Sequence, residues 1–399
     1  MSHQQKIMIL GAGDLGRRVL SELAHSKADR HIQLVGRNKE ETLRAANLAS
    51  FCSLQRGYTI NVAHAITDIT DVERTAECIA MSNPDVIFLA ASLQSWWVIS
   101  TLPSDAFNRL YAANFGPWLP MHLVPVMKAM QAVKMAGSDA VVVNAAFPDA
   151  VHPALSAVGL SPHIGIGNVA NNVPGIRTAA ADYLDCCVDD IEVRLIAHHY
   201  VSHRLSRHGD KGLGELGLAV VMNGTDVTFD IDVSRLLKRL PTDYRRTGGL
   251  PGQAMTAASA VSVLEPLAEG RDSVVHAPAP NGLPGGYPVA IESGGFRLAL
   301  PAGMSEEEAV RINLAGQKQD GISEIRPDGT ILFEPSAMEI LDQELGYRCS
   351  TMALSEAEER ARELARRFRD YRARGCTPAT HKPMSTKLPS PAVCSDEAH

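Results

Sequence analysis

The feature that most constrains this chain lies in its first two dozen residues. A short apolar run, Lys6–Leu10, passes directly into Gly11-Ala12-Gly13-Asp14-Leu15-Gly16 and then into a segment of helical period, Arg17–Ala24. Glycines at the first, third and sixth positions of a strand–turn–helix serve three ends: a sharp turn, a close backbone approach to a ligand, and tight packing of the helix on its strand. The helix start also offers unpaired N–H groups and a positive dipole end, so the ligand it suits is an anion such as a pyrophosphate. Gly11 is expected to make the turn, Gly13, Asp14 and Leu15 to face the anion, and Gly16 to seat the helix. A plain glycine turn without a ligand is the competing reading; a flanking βαβ pattern argues for dinucleotide binding instead.

That pattern continues to about Asn144. Apolar runs at Ile7–Leu10, Ile32–Val35, Thr59–Val62, Val86–Ala90 and Ala140–Val143 alternate with helix-period segments, as in a doubly wound parallel sheet. Thr70 and Glu73 stand at capping-box spacing before one helix, and Asn83-Pro84 ends it. A further helix should run to about Asn114, with Pro117, Pro120 and Pro125 breaking the helical stretch beyond it or starting new turns. Beyond Asn144 the spacing changes to helices over Ile176–Leu184, Ala254–Ala268, Glu306–Leu314 and Glu356–Arg374, mixed with strands Ile191–Ala197, Val289–Glu292 and Phe296–Leu300. Ser355 with Glu358 has capping-box spacing at the last helix. The fold class is therefore α/β: a nucleotide-binding domain over 1–150, an α+β domain over 151–375, and a tail over 376–399, rich in Pro, Ser and Thr, expected to be disordered.

With 45 acidic and 38 basic residues the formal charge is −7, which argues against a nucleic-acid partner. The N-terminus has no apolar stretch of membrane-spanning or signal-peptide length. Seven cysteines are scattered without a C-x-x-C pair, which fits a reducing cytoplasm. A small molecule is the expected partner.

The end of the second strand refines the cofactor. A protein selecting NAD places Asp or Glu there for the ribose hydroxyls, whereas this chain reads Leu34-Val35-Gly36-Arg37-Asn38-Lys39. A glycine followed by Arg37 and Asn38 removes the carboxylate that would repel a 2′-phosphate and supplies a cation to pair with it. NADP(H) is expected, and with it reduction. The competing reading makes Arg37 a solvated loop residue.

The order of the remaining features resembles the lactate/malate dehydrogenase superfamily over about residues 6–374. Ala90-Ala91-Ser92 comes after the fourth strand, and a helix ends at Leu110-Tyr111-Ala112-Ala113-Asn114. Strand Val141-Val142-Val143-Asn144 leads into Ala145-Ala146-Phe147-Pro148-Asp149, and Val158-Gly159-Leu160, Gly165-Ile166-Gly167-Asn168 and Ala197-His198-His199-Tyr200 come later. The resemblance implies that Ala91, Asn114 and Asn144 lie on the cofactor side. It also implies that His199 is the proton carrier facing a carbonyl, a role suited to a side chain titrating near neutrality. It implies homo-oligomers, as dimers or tetramers.

The Asp-x-x-Arg that orients that histidine and clamps a carboxylate in the family has no counterpart here. Aligning Arg177 with the arginine puts Pro174 in the aspartate's place, so Asn168 or Asn172 is expected to orient His199. The loop over the site, Leu93–Ser100, carries Trp96 and Trp97 and no arginine. An apolar lid over an amide floor suits a larger or less anionic substrate than a 2-oxo acid. The candidate substrate contacts are Trp96, Trp97, His203 and Arg177. The leading expectation is an NADPH-dependent reductase of a C=O or C=N bond with no metal. Two others stay open: a metal- and nicotinamide-dependent enzyme related to family-4 glycosidases, drawing on the ligand-dense segment His198–His208, and an NADP-binding regulator without catalysis.

Overall fold

The computed structural model describes residues 5–25 and 30–379. Strands β1 (Gln5–Leu10), β2 (Arg30–Gly36), β3 (Asn61–Ile66), β4 (Val86–Leu89), β5 (Val141–Asn144) and β6 (Ile164–Gly165) form a six-stranded sheet in the order β3-β2-β1-β4-β5-β6. All its pairings are parallel. The crossovers carry α1 (Asp14–Ala24), α2 (Lys39–Gln55), α3 (Val72–Ser82), α4 (Ser104–Tyr111), α5 (Leu119–Met135) and α6 (Pro148–Ser156). Residues Ile7, Met8, Ile9 and Leu10 are all buried, as a central parallel strand covered on both faces requires.

The rest of the chain is α7 (Val173–Leu184), β7 (Ile191–Ile196), α8 (His199–His208), β8 (Gly217–Met222), β9 (Thr225–Asp226), α9 (Val233–Lys238), α10 (Gln253–Glu269), β10 (Ser273–Pro278), β11 (Gly286–Glu292), β12 (Gly295–Leu298), α11 (Glu306–Gln319), β13 (Ile322–Ile325), β14 (Ile331–Phe333), α12 (Pro335–Leu345), β15 (Thr351–Met352) and α13 (Ala357–Ala373). Its strands form three antiparallel sheets, so the architecture is α/β followed by α+β.

One apolar core packs α1 and α10 on one face of the parallel sheet, through Val19, Leu20 and Leu23 against Ala260, Val263 and Leu264. On the other face α3 and α5 pack with α12 and α13, where the Trp118 and Phe368 rings meet edge-on at 5.5 Å. Both cores therefore run across residue 150, and β6 joins the parallel sheet from beyond it.

Several local features differ from those expected. The cap of α3 is Asp71, whose carboxylate accepts the Arg74 N–H, while Thr70 bonds to Asp68. At the last helix Glu356, not Ser355, closes the turn by accepting the Ala353 N–H at 2.8 Å. Pro125 stays inside α5, with Pro120 in its first turn where the missing N–H costs nothing. The strand expected to reach Ala197 stops at Ile196, and His199 begins a helix. In the expected tail, the Ala379 N–H donates to the Gln343 carbonyl at 2.9 Å and the Cys376 carbonyl accepts from Arg109 at 3.0 Å, so 376–379 are tied to α12 and α4; 380–399 lie outside the described residues. Among the described residues no helix is long and apolar enough to cross a membrane.

Candidate active site

The C-terminal ends of β1, β2, β4 and β5 open onto a cleft of about 1050 Å³, where ligands of open parallel sheets are bound. Gly11, Gly13, Asp14, Leu15, Arg37, Asn38, Ala91, Trp96, Trp97, Asn168, His199 and His203 all line it.

The phosphate-loop end has the geometry its glycines imply. Gly11 has φ +124°, and a Cβ there would come within 2.8 Å of the Ala90 carbonyl. A Cβ on Gly16 would fall 1.9 Å from the Gly11 oxygen, so only glycine lets α1 sit this close to β1. A Cβ on Gly13 would meet no protein atom within 4 Å. That open face, with an α1 start that no side chain caps, fits a pyrophosphate. At the end of β2, a Cβ on Gly36 would lie 2.4 Å from Thr42 Oγ1 and 2.7 Å from Ala12 Cβ, which excludes a carboxylate-bearing residue there. Arg37 then lines the rim, and the Asn38 side chain caps α2 by accepting the Glu41 N–H at 3.2 Å.

At the other end, His199 is buried, 6% exposed, at the first position of α8. Its Nδ1–H donates to Asp320 Oδ2 at 2.8 Å, and its backbone N–H donates to Asp149 Oδ1 at 2.8 Å. Asp149, in the first turn of α6, also accepts from Asn168 Nδ2. Asp320 comes just after the end of α11 and is fixed by the Phe115 N–H on Oδ1 at 3.2 Å and the Gly116 N–H on its carbonyl at 2.6 Å. With Nδ1 occupied, Nε2 is the nitrogen left to meet a ligand. Burial lowers the affinity of His199 for a proton, but the charge and hydrogen bond of Asp320, with the charge of Asp149, outweigh it and the pKa is raised. The neighbouring histidines go the other way. Burial, with the positive charge of His199, holds His122 down to about 3. Burial and then the charges of His199, Arg207 and Arg246 hold His203 well below its ordinary value. Burial also lowers His198, despite Asp149 and Asp320. Within the cluster His199 is thus the histidine that takes up a proton most readily, and it packs against Phe115 at 4.7 Å and Phe147 at 5.4 Å.

No protein-family model and no curated protein matches the sequence. Solved structures do match. The malate dehydrogenase of Cryptosporidium parvum superposes with a TM-score of 0.55 at 14% identity, over 80% of this chain and 98% of that one. The lactate dehydrogenase of the same organism, complexed with lactic acid and nicotinamide adenine dinucleotide, gives 0.54 at 17% identity over 80% and 99%. The malate dehydrogenase of Picrophilus torridus gives 0.55 at 17% identity over 80% and 97%. The chain has the lactate/malate dehydrogenase fold. At these identities the likeness is one of fold.

On the lactate/malate dehydrogenase fold, Gly16 sits behind the cradle against Gly11, and four other expected site residues lie off the cleft. Asn114 takes a left-handed turn, φ +58°, and it is the next residue, Phe115, that enters. Asn144 is fully buried; its Oδ1 accepts the Ala146 N–H at 2.8 Å and its Nδ2 donates to the Ala146 carbonyl, shaping the turn that puts Ala145–Phe147 on the cleft floor. Asn172 donates to the Ser202 carbonyl at 3.1 Å rather than to His199. Arg177 spends its guanidinium on the carbonyls of Ile191 at 2.8 Å and Val188 at 2.9 Å. Of the two amides expected to orient His199, Asn168 reaches it only through Asp149; the orienting group is the carboxylate of Asp320.

Sequence reading missed Asp149 as a holder of His199, saw Arg207 only as part of the ligand-dense segment His198–His208, and missed Asp320, His122 and Arg246 altogether. Asp320-Gly321 reads as an ordinary helix-ending pair, and nothing local marks it as lying against His199, 121 residues earlier. Asp149 carried a weak signal as part of the motif after β5. For the metal reading, Cys186 and Cys187 do not line the cleft, and among the described residues no group of three His, Cys, Asp or Glu side chains is placed to hold a metal.

Proposed function

We propose that this protein is an NADPH-dependent oxidoreductase that reduces a C=O or C=N bond of a small molecule other than a simple 2-oxo acid. The observation that carries the reading is the buried His199–Asp320 pair facing a cleft whose other end is a glycine-lined anion cradle. When bound, the nicotinamide supplies the hydride. Gly11, Gly13 and the start of α1 would hold the pyrophosphate, and Arg37 beside the side-chain-free Gly36 would pair with a 2′-phosphate. His199 holds a proton on Nε2 for the substrate oxygen or nitrogen, and Asp320 fixes the ring through Nδ1 and keeps the imidazolium favourable in a buried site. Asp149 anchors the start of α8, so the imidazole is aimed by its backbone as well as its ring. Phe115, Phe147 and Trp96 exclude water from the reacting atoms. The lack of a clamping role for Arg177 supports exclusion of short 2-oxo acids, since no arginine of α7 reaches the cleft. Stopped-flow mixing with pyruvate, oxaloacetate and larger carbonyl compounds tests this: NADPH oxidation should be slow or absent with the first two. Turnover of pyruvate or oxaloacetate at the rate of a dedicated dehydrogenase would overturn the substrate assignment.

A further inference from the structure

Helix α8 turns an unusual stripe towards the cleft: His199, Ser202, His203, Ser206 and Arg207, the i, i+3, i+4, i+7, i+8 spacing of one helical face. An amphipathic helix normally buries apolar residues on that face, so this one is committed to polar contacts. Its far end is cationic. Arg207 stacks over Tyr111, 4.5 Å from the ring centroid, with Phe107 at 5.9 Å, and pairs with no carboxylate among the described residues. Arg246 enters the cleft from the loop before α10, at the level of Ser202, whose carbonyl accepts from the Asn172 that Arg246 touches. It is held by neutral oxygens, the Asn171 carbonyl and, at 3.4 Å, Asn172 Oδ1, which fix its guanidinium without cancelling its charge. The acidic residues lining the cleft, Asp14, Glu41 and Asp68, belong to the phosphate-loop end. Between the arginines and His199, Ser202 is only 3% exposed, borders the cleft, and its hydroxyl has no hydrogen-bond partner. Two uncompensated guanidinium groups and an idle hydroxyl describe a seat for an anion.

Its position says more than its charge. Eight residues of helix separate His199 from Arg207, about 12 Å along the axis at 1.5 Å per residue, and the Arg207 guanidinium rests over Tyr111, so an anion seated there is displaced along the helix from the reacting carbon. Resting on the reductase reading, we infer that the substrate is an extended anion: its C=O or C=N lies at His199, and a carboxylate or phosphate remote from that carbon lies between Arg207 and Arg246. Trp96 and Phe107, which line the cleft, would cover the chain between.

The probes are oxo carboxylates in which a lengthening methylene chain separates ketone from carboxylate, their methyl esters, and matching oxo-alkyl phosphates. Calorimetric titration into the full-length protein loaded with NADP+ should show affinity rising with that separation and falling about 10- to 100-fold on esterification, the range of charge-assisted hydrogen bonds. Arg207→Gln and Arg246→Gln should each bring the acid close to its ester while NADP+ affinity stays unchanged; whichever of carboxylate and phosphate binds tighter names the headgroup. Acids no tighter than esters, the shortest acid binding best, or a loss of NADP+ rather than acid affinity in the variants would overturn the inference. Arginine-dependent binding with no NADPH oxidation would leave the anion seat standing and remove the reductase reading; turnover with no preference for acids would do the reverse.

Discussion

At one end of the cleft, Gly11, Gly13, Gly16, Gly36 and Arg37 are brought together by a single strand–helix–strand unit, and Gly11, Gly16 and Gly36 are each required by a close contact there. At the other end, His199, Asp149, Asp320 and Phe115 arrive from α8, α6, the end of α11 and the loop before α5, and are joined by backbone N–H groups donating to two buried carboxylates. The first end is local and needs only the right turn chemistry; the second exists only when distant elements have docked. The difference separates the two functions of the cleft. A change at the reaction end should disturb proton delivery and leave cofactor binding alone, and a change at the loop end should do the opposite.

The largest effect expected from this separation is at the imidazole. His199→Asn should lower kcat by about 10²–10⁴ with NADPH affinity retained, because the proton must then come from water. Fluorescence titration with NADPH beside steady-state rates checks it, and an equal loss in both would erase the distinction between the two ends.

Next in size is Asp320→Asn, expected to reduce turnover about 10- to 100-fold, since the amide can still accept from Nδ1 but no longer stabilises the cation. The pH profile carries the sharper signature. Reduction needs protonated His199, so activity falls as pH rises through its pKa, and the native value is raised above the ordinary histidine value because Asp320 outweighs the effect of burial. The falling limb should therefore move to lower pH in the variant. Superimposable limbs would show that Asp320 does not govern this proton.

At the loop end the expected effect is smaller. NADPH should bind at least about tenfold tighter than NADH, some 1.4 kcal/mol, and Arg37→Ala should erase most of that preference while the turnover number at saturating NADPH changes little. Equal affinities for the two cofactors in the native protein would sink the assignment.

The same division explains what is legible in the sequence. The parallel sheet, the glycine cradle and the residue after β2 are set by neighbours in the chain, and local pattern exposes them. His199 is reachable because its place after a strand resembles a known order of features. Its partner is not. The gap left by Pro174 suggests an amide from the nearby turn, but the carboxylate comes from 121 residues downstream, where Asp320-Gly321 has the form of any helix end. The helix over His199–His208 is hidden for a related reason: its apolar face is only Val201 and Leu205 at i, i+4, too short a stripe to stand out in a segment of ten residues crowded with histidine and arginine.

The smallest effect tests where the substrate is not held. Arg177 sits at the position that the resemblance would give to a carboxylate clamp, yet its guanidinium donates to the Ile191 carbonyl at the start of β7 and to the Val188 carbonyl in the turn before it. Those bonds tie α7 to the strand that leads into α8, so the residue has a structural task and no spare reach. Arg177→Ala should leave kcat/KM within about twofold of the native value, while unfolding in denaturant should show a loss of about 1–2 kcal/mol from the two hydrogen bonds. A large rise in KM with stability unchanged would mean that Arg177 swings into the cleft when substrate binds, and the anion would then be gripped near the reacting carbon rather than along α8.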